Sequence, residues 1–476
     1  MEKECSVNMA ERTEQGEKRA ERWRWMLVIV VSMAIFLDTV DVSIVNVALP
    51  DLQRGLHLTT ADLQWVPGIY GLTNAGFLLL GGRAADLLGR RRIFLLGATL
   101  FGLASFTGGL ANSGWLLILA RGVQGVGAAL TMPAATSIIT TTFAEGPERN
   151  QALGIFSATG GAGFTCGLVI GGLLTSFIGW HWVFLVNVPF VLLILLLARN
   201  VVPQDRSPIE RERSYDLAGA ILVTGGLLLL VYALTQAGES GATPLKTGTL
   251  LILAIFLLIL FVLVEQRSRT PLMPLHIFRS RNLSVVCVVS FTLLASFFSF
   301  LFVFTLYLQN VLHYSPIQAS LAQLPTSILS IVTSQFVSPR LMNRFGVRLT
   351  ISLGMLCLLC GALLFFMGGA ANNYLGIILP TLLAFSFGMA LCVPALGVAT
   401  VIGIEQTEQG LAAGLQGTWA QGGGGLGVAM TAAVVSASTV PSAAIVQQLY
   451  GLHLGLIVVA VCAAIGMMLA FIGIQK

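Results

Sequence analysis

Apolar stretches of about 20 residues recur along nearly all of this chain, and no other feature constrains its fold as strongly. Such a stretch crosses hydrocarbon as a helix, because a helix satisfies its backbone hydrogen bonds within one segment. About fourteen can be read, at roughly 26–49, 62–82, 93–112, 115–140, 150–175, 178–198, 216–236, 247–265, 283–310, 316–338, 349–368, 374–398, 409–435 and 451–474. With charged residues at only 10% and a mean hydropathy of +0.87, the expected class is an all-α polytopic membrane protein.

Lys and Arg test the topology through the positive-inside bias. With the N-terminus in the cytoplasm, Arg54 and Lys246 fall outside and Arg121 falls within a span, leaving 23 of the 26 cations on the cytoplasmic side. An even number of spans returns Lys476 to that side. The net charge of +5 is then topological, and nucleic acid is excluded as a partner. The expected divisions are a cytoplasmic tail at 1–25, six spans at 26–200, a linker at 201–215, two spans at 216–265, a basic linker at 266–282 and six spans at 283–476. No cleavable leader is expected, since the polar first 24 residues precede a run long enough to span. No G-x-x-x-x-G-K-[ST] loop and no metal-ligand spacing are present, so no cofactor or metal is expected. Cys357 and Cys360, on an apolar stretch without basic neighbours, read as packing residues.

Between the second and third stretches lies Gly82-Arg83-Ala84-Ala85-Asp86-Leu87-Leu88-Gly89-Arg90-Arg91-Arg92. Its glycines permit a tight reversal, and its cations cannot lie in hydrocarbon. This turn resembles the signature loop of the major facilitator superfamily, with Ala84 where the family has a larger hydrophobic residue. A degenerate copy, Pro339 to Arg348, carries Asn343 in place of the acid. If spans 7 and 8 are an insertion, the two copies occupy equivalent places in two six-helix halves. That six-two-six layout of fourteen transmembrane helices resembles the drug:proton antiporter branch of the superfamily. Gly82, Asp86, Gly89, Arg90 and Arg91 are then expected to form a gating loop, with Asp86 contributing about 0.3–1 kcal/mol at a helix N-terminus.

Ionisable groups inside spans are costly and are functional candidates by default. Asp38 and Asp41 in span 1 and Arg121 in span 4 are the deep ones. The two acids sit roughly 60° apart on one helical face. Asp41 lies about 8 Å below the outer edge and Arg121 about 9 Å, so their depths agree. Sequence does not say whether their helices touch. An acid set between desolvation and a nearby cation can load and release a proton; a static ion pair that fixes packing is the alternative. Asp41 precedes an Asn-Val-Ala-Leu-Pro run that resembles the family's first-helix motif, to which Asp38 is extra. Arg121-Gly122-Val123-Gln124-Gly125 resembles its fourth-helix motif, where the arginine is implicated in proton coupling.

In span 5, Gly163, Gly167, Gly171 and Gly172 form a smooth groove for a partner helix, read as a rocking interface between halves. The segment is similar to the antiporter motif, with Leu168 where that motif has a proline. Gly179 to Pro189 matches the fourteen-span branch, with His181 at a site where arginine is usual. Span 13 runs through Gln421 and four glycines and can line the cavity, as can Asp38, Gln124, Phe297 and Phe304. The resemblance implies proton-coupled export of hydrophobic, cationic compounds by a monomer in the plasma membrane, both termini cytoplasmic. An exporter of an endogenous lipid or metabolite, a proton-coupled importer and a non-transporting sensor stay open as alternatives.

Overall fold

The computed structural model describes residues 2–144, 146–203, 217–237, 244–267, 277, 279–367, 373–405, 409–438 and 445–474. Among them no strand occurs, and the described residues of each expected stretch are mainly helical, the stretch at 178–198 being broken at Val186. The helices are α1 (Glu2–Gly55), a one-turn α2 (Thr60–Leu63), α3 (Trp65–Leu88), α4 (Arg90–Gly109), α5 (Gly114–Thr142), α6 (Pro147–Phe177), α7 (His181–Leu185) and α8 (Asn187–Val201). They continue with α9 (Leu217–Ala237), α10 (Pro244–Arg267), α11 (Arg281–Leu306), α12 (Pro316–Val332), α13 (Ser338–Phe366), α14 (Leu379–Val401), α15 (Gln409–Ser438) and α16 (Ile445–Gly473). Ten of the described helical stretches are long and apolar enough to cross a membrane, and the longest, Pro316–Phe366, breaks in two at Gly346.

Packing repeats along the chain. In the N-terminal group α1 lies on α6, α3 on α5, and α4 on α5 and α8. In the C-terminal group α11 lies on α15, α12 on α14, and α13 on α14 and α16. The groups are joined where α3 meets α15 and α6 meets α12, while α9 lies against α3 and α15 and carries α10.

The two arginine-bearing turns obey the same repeat. Gly89 (φ 106°) separates α3 from α4, and Gly346 (φ 83°) breaks α13. Each stands three residues past Asp86 or Asn343, and in each the chain takes a left-handed step that an L side chain resists. The reversal itself is therefore a property of the repeat. At this arginine-rich end Trp23 donates to the Val201 carbonyl at 3.0 Å, and Arg91 donates to the Arg199 carbonyl at 2.5 Å. The side chain of Asp86 lies outside the described set, so its expected place at a helix N-terminus is not described.

Candidate ion-coupling site

Asp41 and Arg121 meet. The guanidinium of Arg121 pairs with one oxygen of the Asp41 carboxylate, and the two side chains are 0% and 1% exposed. The other Asp41 oxygen accepts from the amides of Gln124 at 3.1 Å and Asn187 at 2.8 Å. Gln124 also accepts from Arg121 at 2.9 Å and donates to the Ser105 hydroxyl at 2.6 Å. Arg121 further donates to the Val66 carbonyl at 3.0 Å and lies 4.3 Å from the ring centre of Tyr70. Four helices, α1, α4, α5 and α8, and the start of α3 thus converge on one charge pair.

The local sequence explains the convergence. Arg121 and Gln124 are three residues apart on α5 and so share a face. Asn187 opens α8 directly after the short α7, which sets its amide at the depth of Asp41. A buried pair tolerates desolvation only when its remaining hydrogen-bond positions are filled, and here the protein fills them. Neutralising either member leaves the other charge buried, at a cost of about 3–5 kcal/mol.

Asp38 takes a different partner. It accepts a hydrogen bond from the Tyr70 hydroxyl and lines a small space inside the N-terminal group with Leu37, Phe101, Thr131 and Ile194. The cleft between the groups is lined instead by Val42, Val45, Asn46, Tyr70, Arg121, Phe298, Gln421 and Val428. Tyr70 stands between the two, its hydroxyl on Asp38 and its ring in the cleft. Of the expected cavity residues, Gln421 lies in the cleft wall, and Gln124 belongs to the Asp41 network. Phe297 packs 6.2 Å from Phe164 of α6 and 5.5 Å from Phe298. Phe304 is fully buried against Phe300 and Phe365 inside the C-terminal group. It is a core residue: two turns along α11 from Phe297, it sits at the level where Phe365 of α13, not α6, packs on the helix.

The span 5 glycines divide by face. A Cβ at Gly163, Gly167 or Gly171 would lie 2.6 Å from Phe36 O, 2.6 Å from Val40 O and 3.0 Å from Ile44 Cα, all on α1. These three hold α1 and α6 together within one group. Gly172 alone turns outward, where its Cβ would meet Ser320 and Ile317 of α12. Of the four, only Gly172 faces the other group, since residues four apart share a face and Gly172 lies about 100° from it.

Opposite the arginine-rich end, the groups are latched. Gln309 donates to the Val47 carbonyl at 2.9 Å, and the Ile317 amide donates to the Ser176 hydroxyl at 3.2 Å. In this conformation the cleft holds about 40 Å³. Tyr70, Asn187 and Ser105 were absent from the sequence-based site. Asn187 was legible as the polar residue within the motif from Gly179 to Pro189, whereas nothing marks Ser105.

A bundle of long apolar helices in two repeated groups, with a buried charge pair bordering the cleft between them, is that of a multi-pass membrane protein. The Major Facilitator Superfamily pattern matches residues 31–428, and the chain belongs to that family. It is 39% identical over 429 residues to the puromycin resistance protein pur8 of Streptomyces alboniger, covering 87% of this chain and 82% of that protein. It is 38% identical to the cephamycin export protein CmcT of Amycolatopsis lactamdurans, covering 89% and 87%. Among solved structures, the peptide transporter POT in complex with sulfate shares the fold, with a TM-score of 0.65 at 16% identity over 93% of this chain and 94% of that one.

Proposed function

We propose that this chain is a proton-coupled exporter of hydrophobic compounds, cations among them, in the plasma membrane. Its plan is six spans at 26–200, two at 216–265 and six at 283–476, with cytoplasmic segments at 1–25, 201–215 and 266–282, both termini cytoplasmic and the monomer as working unit. The names of the relatives, a resistance protein and an export protein, favour outward movement of drug-like compounds.

One observation carries the coupling: the buried Asp41–Arg121 pair, whose arginine also forms part of the cleft wall. A proton on Asp41 cancels the charge that holds Arg121. The guanidinium then keeps only the Val66 carbonyl, the Gln124 oxygen and the Tyr70 ring, and α1 is free to shift against α5. Loss of the proton restores the pair. Because Arg121 and Tyr70 border the cleft, this cycle changes the surface a substrate touches. Val42, Val45, Phe298 and Val428 select apolar bulk, and Asn46 and Gln421 add neutral polar contacts. Cations meet ring faces there, with Asp38 one residue behind Tyr70. A drug-sized site needs about 300 Å³ or more, so loading opens the cleft.

The test is ethidium transport in everted vesicles energised by an imposed pH gradient. Wild-type protein moves ethidium, and a protonophore stops it. Asp41→Asn abolishes gradient-driven transport, while ethidium still binds in detergent with an affinity that no longer responds to pH. Gradient-driven transport surviving in Asp41→Asn would falsify the assignment.

A further inference from the structure

A groove of about 560 Å³ runs between α13 and α16 near the arginine-rich end. Leu341, Phe345, Leu349, Leu353, Met468 and Phe471 form its walls. Its volume is in the range of small-molecule sites, and it opens outward, with Phe345 51% and Phe471 52% exposed. Two of its rings carry guanidinium groups. Arg344 lies 5.2 Å from the centre of Phe345, and Arg348 lies 4.7 Å from that of Phe471. Among the described residues no carboxylate pairs with either arginine.

The internal repeat sharpens the point. Arg91 holds the place of Arg348 in the first turn, two residues past the reversing glycine in both. Arg91 is spent on the Arg199 carbonyl of α8, so protein atoms close that seam. Arg348, at the corresponding seam with α16, is laid over a ring at the mouth of an open groove.

We propose that this groove is a binding site for one anionic phospholipid, with an acyl chain along Leu349, Leu353 and Met468 and the headgroup phosphate at Arg344 and Arg348. Charge complementarity selects the occupant. Two cations that no described carboxylate pairs with repel a cationic amphiphile, and a zwitterionic lipid brings its own ammonium beside the phosphate. The lipid splints α13 to α16, a role that the Arg91–Arg199 contact fills in the N-terminal group.

The full chain, reconstituted in nanodiscs of equimolar phosphatidylcholine and phosphatidylglycerol, is released and examined by native mass spectrometry. Each arginine near an anionic headgroup favours it roughly fivefold, so wild-type protein retains phosphatidylglycerol over phosphatidylcholine about twenty-five-fold. Arg344→Gln with Arg348→Gln brings the ratio to about one with circular dichroism unchanged, and the paired lysine variants keep the preference. Leu353→Trp fills the groove and lowers retention of both lipids. Equal retention by wild-type protein, or undiminished preference in the glutamine pair, overturns the proposal. So does displacement of phosphatidylglycerol by tetraphenylphosphonium, which makes the groove an entrance for cations, or by inorganic phosphate, which leaves no role for the acyl chain.

Discussion

In the N-terminal group, α1, α4, α5 and α8 meet on Asp41, Ser105, Arg121, Gln124 and Asn187. In the C-terminal group, the corresponding α11, α13 and α14 meet on Phe300, Phe365 and Phe385. Phe300 stacks on Phe385 with ring centres 3.6 Å apart, and Phe365 meets Phe300 at 5.9 Å and Tyr307 at 4.8 Å. The helix framework is the same; the glue is not. Removing one partner from the seam of charge and amides strands the other charge at a cost of several kcal/mol, whereas the seam of phenylalanine rings holds no charge to strand. On the proposed function, the N-terminal group carries the ion-sensing pair and the aromatic seam of the C-terminal group takes no part in it.

The largest effect is expected at the charge pair. Arg121→Ala strands the buried Asp41 carboxylate and should cost about 3–5 kcal/mol, read as lowered thermal stability in detergent together with loss of export. Adding Asp41→Asn should recover most of that stability without recovering export. If the single variant melts like wild type, the pair is not the keystone that the comparison makes it. Next comes the aromatic seam. Phe300→Ala should cost about 3 kcal/mol through the cavity it leaves, while residual export keeps its dependence on the pH gradient. A changed gradient dependence in this variant would break the division of labour. The smallest effect concerns the shared reversal. Gly346→Ala meets no neighbouring atom, so only its φ of 83° is penalised, by about 1–2 kcal/mol. A neutral result in a thermal melt would show that the second turn no longer needs its glycine.

Much of this was legible along the chain. Apolar length marked the helices, and the paired arginine turns marked the repeat. Equal depth puts Asp41 and Arg121 in register. Other residues resisted. Asp38 lies one helical turn from Asp41, yet it turns to Tyr70 within the group rather than to the cleft, because a few tens of degrees of helix rotation decide which neighbour a side chain meets. Phe304 lies seven residues from Phe297 in the same run, yet it is sealed in the core while Phe297 packs against α6. Residues seven apart share a face, so what separates this pair is the level along α11 at which each neighbouring helix packs, and a uniformly apolar helix carries no mark of that.

The same physics separates the two kinds of knowledge. Hydrocarbon acts on each residue alone, penalising every bare charge and every unpaired backbone group, so length, charge placement and the glycine-bearing turns are written residue by residue in the chain. Partnership is a property of pairs. That Asn187 and Gln124 complete the shell of Asp41, that Gly163, Gly167 and Gly171 clasp α1 while Gly172 faces α12, and that Tyr70 divides Asp38 from the cleft depend on how helices far apart in the chain rotate against one another, and tertiary packing alone decides that.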